Sequence, residues 1–148
     1  MFLGQFQHNL DDKGRLMIPV RFREMLEGGA TITQGFDKCL MVLTGPSFQQ
    51  IYDRLEAMSM TDPATRLLRR LILANAYQVE VDKVGRILVP PNLRIFLQLE
   101  GDAIVAGQGE YFEVWKPVDW NEQMAKLQDV EANSQRFAAF DLSKHNPA

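Results

Sequence analysis

The 148-residue sequence contains one cysteine and two histidines, and that scarcity removes whole classes of chemistry. The lone thiol, Cys39, has no partner for an intrachain disulfide. It opens the apolar run Cys39 to Leu43, so a buried, reduced side chain is expected there. General acid–base and nucleophilic catalysis usually place a histidine beside a nucleophile. Only His8, on an alternating strand-like segment, and His145, near the end, are present. No H-E-x-x-H, C-x-x-C, phosphate-binding glycine loop or G-x-G-x-x-G pattern appears. The expectation is a protein that is not an enzyme and has no metal site, no cofactor and no small-molecule substrate. The sequence also lacks a run of 18 apolar residues, and MFLGQFQHNL lacks the basic and then apolar layout of a signal peptide. No membrane association is expected, and the cytoplasm is the expected compartment.

Positive charge is scarce overall but locally concentrated. The net charge of -3 argues against a protein that coats nucleic acid indiscriminately. Yet Asp11 to Arg23 carries Lys13, Arg15, Arg21 and Arg23 against Asp11 and Asp12, and Asp82 to Arg94 carries Lys83, Arg86 and Arg94 against Asp82 alone. From Glu100 to Glu131 the balance reverses, with Lys116 and Lys126 facing eight acids. Basic patches on an acidic body suit local contacts with an anion.

These two basic segments are copies of each other. At an offset of 71, DDKGRLMIPVRFR (11–23) aligns with DKVGRILVPPNLR (82–94), with five of thirteen positions identical. Both read D-x-x-G-R, three apolar residues, proline, and a second arginine four residues later. The match extends upstream, where FQHNL (6–10) meets YQVEV (77–81). After a one-residue shift it continues downstream, where CLMVL (39–43) meets YFEVW (111–115). A half of this size buries too little apolar surface to stand alone, so the two should share a core.

Each repeat reads as a strand, a turn (Asp11 to Gly14 and Asp82 to Gly85), a short apolar strand (LMI, 16–18), and a helix opened by Pro19 or Pro90-Pro91 and closed by Gly28-Gly29 or Gly101. A hairpin follows around GFDK (35–38) or GQGE (107–110). The first repeat ends in a helix with Phe48, Ile51, Tyr52 and Leu55 at helical spacing. The expected fold is α+β: two tandem, β-rich repeats with short helices, residues 1–60 and 77–131, packed as one domain. A helix over 61–76 joins them, with Thr61 and Asp62 as capping candidates and Leu67, Leu68, Leu71 and Ile72 as its apolar face. Residues 132–148 read as a flexible tail. Arg66, Arg69 and Arg70 read as the solvated or ion-paired side of the joining helix.

A glycine turn followed at once by arginine projects a planar, bidentate guanidinium from a fixed edge, suited to a phosphate or a guanine O6/N7 edge. Lys13 and Lys83 add a cation to each turn. The plainer alternative leaves Arg15 and Arg86 solvated or paired to Asp11 and Asp82; two copies in one register favour the anion-contacting role.

Both motifs, D11-D-K-G-R15-L-M-I-P19 and D82-K-V-G-R86-I-L-V-P90, resemble those of the MraZ family of bacterial transcription regulators. The resemblance covers nearly the whole chain outside the tail. It implies a duplicated swapped-hairpin fold of the AbrB and SpoVT class. It also implies a cytoplasmic, nucleoid-associated regulator of the division and cell-wall gene cluster, assembling as a ring-like homo-oligomer on short direct repeats of double-stranded promoter DNA. DNA contacts would come from Arg15 and Arg86, supported by Lys13 and Lys83. These lysines are not equivalent, since Lys13 is third in its motif and Lys83 second. Arg21, matched by Asn92, makes the first repeat the more basic. Arg23 and Arg94, on the following helix, either touch phosphate, pack over the turn or pair with an acid. The competing reading is a scaffold without DNA, in which the repeats serve assembly and the arginines pair with the acidic stretch of a neighbour.

Overall fold

A computed structural model describes residues 1–143 and divides the chain into two compact units, Met1–Pro117 and the part from Val118 onward. His145 and the last residues of the expected tail lie outside the described residues.

The strands of both repeats lie in the first unit. The first contributes β1 (Gln5–Asn9), β2 (Arg15–Met17), α1 (Val20–Arg23) running on into a 3-10 turn (Glu24–Leu26), β3 (Ala30–Gln34), β4 (Leu40–Thr44) and α2 (Gly45–Glu56). The joining helix α3 (Pro63–Leu73) follows, and then β5 (Tyr77–Val79), β6 (Arg86–Leu88), α4 (Pro91–Leu97), β7 (Asp102–Gly107) and β8 (Tyr111–Trp115). Local signals set the helix starts. Thr44 accepts a hydrogen bond from the Ser47 amide, and Asp62, ahead of Pro63, accepts one from the Ala64 amide. One expectation fails at a helix end. Gln98, not Gly101, takes the left-handed conformation that closes α4, with its amide bonded to the carbonyls of Arg94 and Ile95.

The strands do not stay within their own repeats. The six-stranded sheet runs β1-β7-β8-β4-β3-β5, all antiparallel. Strand β1 of the first repeat lies against β7 of the second (Gln5 opposite Ala106 through Asn9 opposite Asp102), and β5 of the second lies against β3 of the first (Tyr77 opposite Ile32). Each repeat therefore completes the other's sheet edge, and the fold is the expected α+β pair of swapped, pseudo-two-fold repeats. The local axis passes between residues that face their own counterparts: Leu16 opposite Ile87 in the β2–β6 ladder, and Met41 opposite Glu113 in the β4–β8 pair.

Interleaving lets both repeats fill one core. Leu16, Ile18, Phe22 and Leu26 pack in a single cluster with Ile87, Val89, Leu93 and Leu97, all almost wholly buried. Truncation of any one of the large aliphatics to alanine would cost about 2–5 kcal/mol. Phe2, Phe22 and Phe112 add edge-on and tilted ring contacts, with centroids 5.0–5.3 Å apart.

The second unit is helical. Helix α5 (Pro117–Leu127) leads into α6 (Val130–Arg136), capped by Asp129, which accepts from the Ala132 amide. The side-chain amide of Asn133 donates to the Leu127 carbonyl. A helix thus occupies the first residues of the stretch read as a flexible tail, because its aspartate cap and this local bond compensate for a weak apolar period.

Candidate nucleic-acid interface

Each D-x-x-G-R turn is built on its aspartate. Asp11 Oδ1 accepts from the amides of Lys13 (3.0 Å) and Arg15 (2.8 Å), while Asp82 Oδ1 accepts from those of Val84 (3.0 Å) and Arg86 (2.9 Å). The amides of Gly14 and Gly85 bond back to the carbonyls of Asp11 and Asp82. Closing the turn so tightly requires positive φ, +81° at Gly14 and +94° at Gly85.

The backbone bonds from Arg15 and Arg86 are the first cause holding both carboxyls below the usual carboxylate value of 3.8; the guanidinium groups lower them further. A depressed folded-state value means that the charged form stabilises the turn above 3.8, and that this contribution disappears as pH falls through the lowered value. Asp11→Asn and Asp82→Asn should therefore be less stable than wild type at neutral pH, with the gap narrowing below about pH 4. Denaturation midpoints across pH measure this, and a gap independent of pH would contradict the charge-based account.

The second carboxylate oxygen of each aspartate holds an arginine. Arg15 Nε donates to Asp11 Oδ2 at 2.7 Å and Arg86 Nε to Asp82 Oδ2 at 3.0 Å, while Arg86 Nη1 also lies 3.5 Å from Asp11 Oδ2. The pairing in the plainer reading is therefore present, but it engages mainly the Nε side. Among the described residues no hydrogen bond engages either Nη of Arg15. The side chains of Arg15 and Arg86 remain 35% and 24% exposed. A carboxylate that grips Nε orients the guanidinium while leaving donors for a further anion.

The ladder brings these arginines onto one surface. In β2–β6, Arg15 lies opposite Leu88 and Met17 opposite Arg86; the intervening pair, Leu16 and Ile87, turns the other way into the core. The outward face thus carries two arginines and two apolar side chains at diagonal corners. Sequence reading found the arginines and missed Met17 and Leu88, since three apolar residues in a row hide which one points out.

The other predicted residues fall into two groups. Lys13 and Lys83 are exposed at the turns, and Arg21 is exposed on α1. Arg23 and Arg94 are half-buried and do something else. The guanidinium of Arg23 lies over Gly85 and that of Arg94 over Gly14, where a β-carbon would collide with it. Their Nε atoms donate to Ile18 O (2.9 Å) and Val89 O (3.0 Å). Each turn is also tied to the opposite repeat through its glycine carbonyl: Ile18 N bonds Gly85 O, and Val89 N bonds Gly14 O. Of the roles envisaged for these arginines, packing over a turn is the one their geometry describes, and the turn belongs to the other repeat.

Other titratable groups with displaced values, His8 and Cys39, lie outside the β2 and β6 strands. Burial first, then the charge of Arg23, pushes the half-buried His8 below its ordinary value, and its ring stacks on Phe6. Cys39 is buried, 3.5 Å from Glu113 Oε2, and burial followed by that negative charge pushes its thiol well up, leaving it protonated. Arg69 pairs with Glu56 at 2.8 Å and Arg66 donates to the Met60 carbonyl, as expected for the polar side of a joining helix. Among the described residues no helix is long and apolar enough to cross a membrane.

Two consecutive matches to one family model, described as MraZ protein, cover residues 1–71 and 72–141, one for each repeat. The chain belongs to the MraZ family. Relatives called transcriptional regulator MraZ include one from Thermomicrobium roseum, 46% identical across 93% of this chain and 98% of the relative. Others come from Roseiflexus sp., 41% identical across 93% and 94%, and Herpetosiphon aurantiacus, 37% identical across 96% and 100%. MraZ proteins are transcriptional regulators and not enzymes, and this chain is not an enzyme.

Proposed function

We propose that this MraZ chain is a sequence-specific DNA-binding transcriptional regulator that meets double-stranded DNA with the outward face of the β2–β6 ladder. One observation carries the reading: two carboxylate-oriented arginines, Arg15 and Arg86, lie at diagonal corners of one face of a short two-stranded ribbon, the type of element that enters a DNA groove. Asp11, Gly14, Asp82 and Gly85 shape the turns. Lys13, Lys83 and Arg21 supply flanking positive charge for phosphates, while Arg23 and Arg94 act indirectly by bracing the opposite turn.

The target is a set of short direct repeats in the promoter region upstream of the division and cell-wall gene cluster. The protein binds them as a ring-like homo-oligomer in the cytoplasm, at the nucleoid. Neighbouring subunits then engage successive repeats about one helical turn apart, and affinity accumulates by linkage without new contacts.

Fluorescence anisotropy on duplexes with one or several repeats, across a salt series, tests this. Binding should tighten with repeat number, and its logarithm should fall linearly with log salt, by about 0.9 per phosphate neutralised. Affinity indifferent to repeat number and sequence would contradict the proposal.

A further inference from the structure

The outward face of the ladder carries a feature that positive charge does not explain. Leu88 is 52% exposed, directly opposite Arg15, whereas Leu16 and Ile87, one residue away on the other face, are 0% and 1% exposed. A large aliphatic left in water on the same face as two arginines adds nothing to a phosphate site. It does suit a surface that meets base edges, where the one apolar group in the major groove is the C5 methyl of thymine.

The pseudo-symmetry sharpens the point. The counterpart of Leu88 is Met17, and the two are not equally available. Met17 is half-buried, its sulfur 3.3 Å from Nη2 of Arg23, whose guanidinium lies over Gly85 in the turn of the second repeat. Arg94, the counterpart of Arg23, bonds Val89 O, and a leucine offers it no acceptor. Leu88 is therefore the freer of the pair, and the ribbon presents one prominent apolar corner. A contact made on one side of a local two-fold axis distinguishes the two directions along a duplex, which reading direct repeats requires and two identical halves would not provide.

Resting on the DNA-binding reading above, we infer that Leu88 is a specificity-determining residue that packs against a thymine methyl in the major groove while Arg15 and Arg86 hold the flanking bases or phosphates. The contact has a defined chemical signature. Deoxyuridine pairs as thymidine does and lacks only the methyl.

The test uses the full chain and a duplex spanning the region immediately upstream of its own reading frame, made once with thymidine and once with deoxyuridine at every thymine. Wild type should prefer the thymidine duplex by roughly fourfold for each methyl that Leu88 covers, the value of one buried carbon. Leu88→Ala should bind both duplexes alike, near the wild-type affinity for the deoxyuridine form. Leu88→Met, which restores the apolar volume, should recover part of the preference. Light scattering on each variant checks that assembly is intact. Retention of the full wild-type preference in Leu88→Ala overturns the assignment, as does a wild type that binds both duplexes equally while still requiring Arg15. Failure of wild type to bind either duplex at low salt would instead remove the DNA-binding reading on which the assignment rests.

Discussion

Removing both outward guanidinium groups, by Arg15→Ala together with Arg86→Ala, should abolish sequence-specific DNA binding and leave the fold and the assembly in place. One well-made bidentate pair is worth about 1–3 kcal/mol, so losing two costs roughly 2–6 kcal/mol per subunit, at least about thirtyfold in affinity. The loss recurs in every subunit engaged on an array, so the observed deficit should be larger. The fold should tolerate the change because both side chains are partly exposed and their pairs with Asp11 and Asp82 are of the solvent-screened kind that contributes little to stability. The aspartates also keep their backbone bonds, which close the turns without help from the guanidinium groups. Anisotropy at moderate salt, with a denaturation midpoint and a scattering mass, separates the terms. If the double variant fell apart into smaller species while still binding DNA, the scaffold reading of these arginines would be the better one.

Gly14→Ala should give one of the two largest losses of stability among the positions of the interface. The left-handed conformation at φ +81° costs a non-glycine residue about 1–2 kcal/mol. The new β-carbon would also meet the Arg94 guanidinium, which must shift and give up its bond to Val89 O, worth about 0.5–1.5 kcal/mol more. Gly85→Ala should behave alike through Arg23. Gly28→Ala is the internal control: its φ is +86°, but nothing lies within 4 Å of a β-carbon there, so only the conformational term applies. Urea midpoints should order the variants with Gly14→Ala and Gly85→Ala clearly below Gly28→Ala. Equal losses at all three positions would mean that the arginine brace contributes nothing.

The repeat at offset 71 made most of the local architecture readable, because turns, prolines and hairpins are set by nearby residues: Asp11 and Gly14, Pro19 and Pro90, Asp62 and Pro63. Alternation announced β1 but not its neighbour. Pairing of β1 with β7 joins segments about a hundred residues apart, and two similar halves offer two equally patterned partners for every edge strand; only the family resemblance pointed to the swap. The same ambiguity hid the role of Arg23 and Arg94, which brace a glycine in the opposite repeat and so leave no signature in their own. Leu88 was concealed for a different reason. In a three-residue strand flanked by apolar neighbours, burial cannot be read from periodicity, and only the register with β2 shows that it shares a face with Arg15. At Gln98, a side chain with no special preference takes the left-handed position three residues ahead of Gly101, and its amide caps the helix by bonding the carbonyls of Arg94 and Ile95.

The most direct test is the structure of the assembled protein on a duplex carrying its promoter repeats. The expected complex has the β2–β6 ladder against the major groove, the Nη atoms of Arg15 and Arg86 within hydrogen-bonding distance of bases or phosphates, Leu88 facing the base edges, and Arg23 and Arg94 still folded over Gly85 and Gly14. A duplex lying instead along α3, on Arg66, Arg69 and Arg70, with the ladder left in solvent, would contradict it.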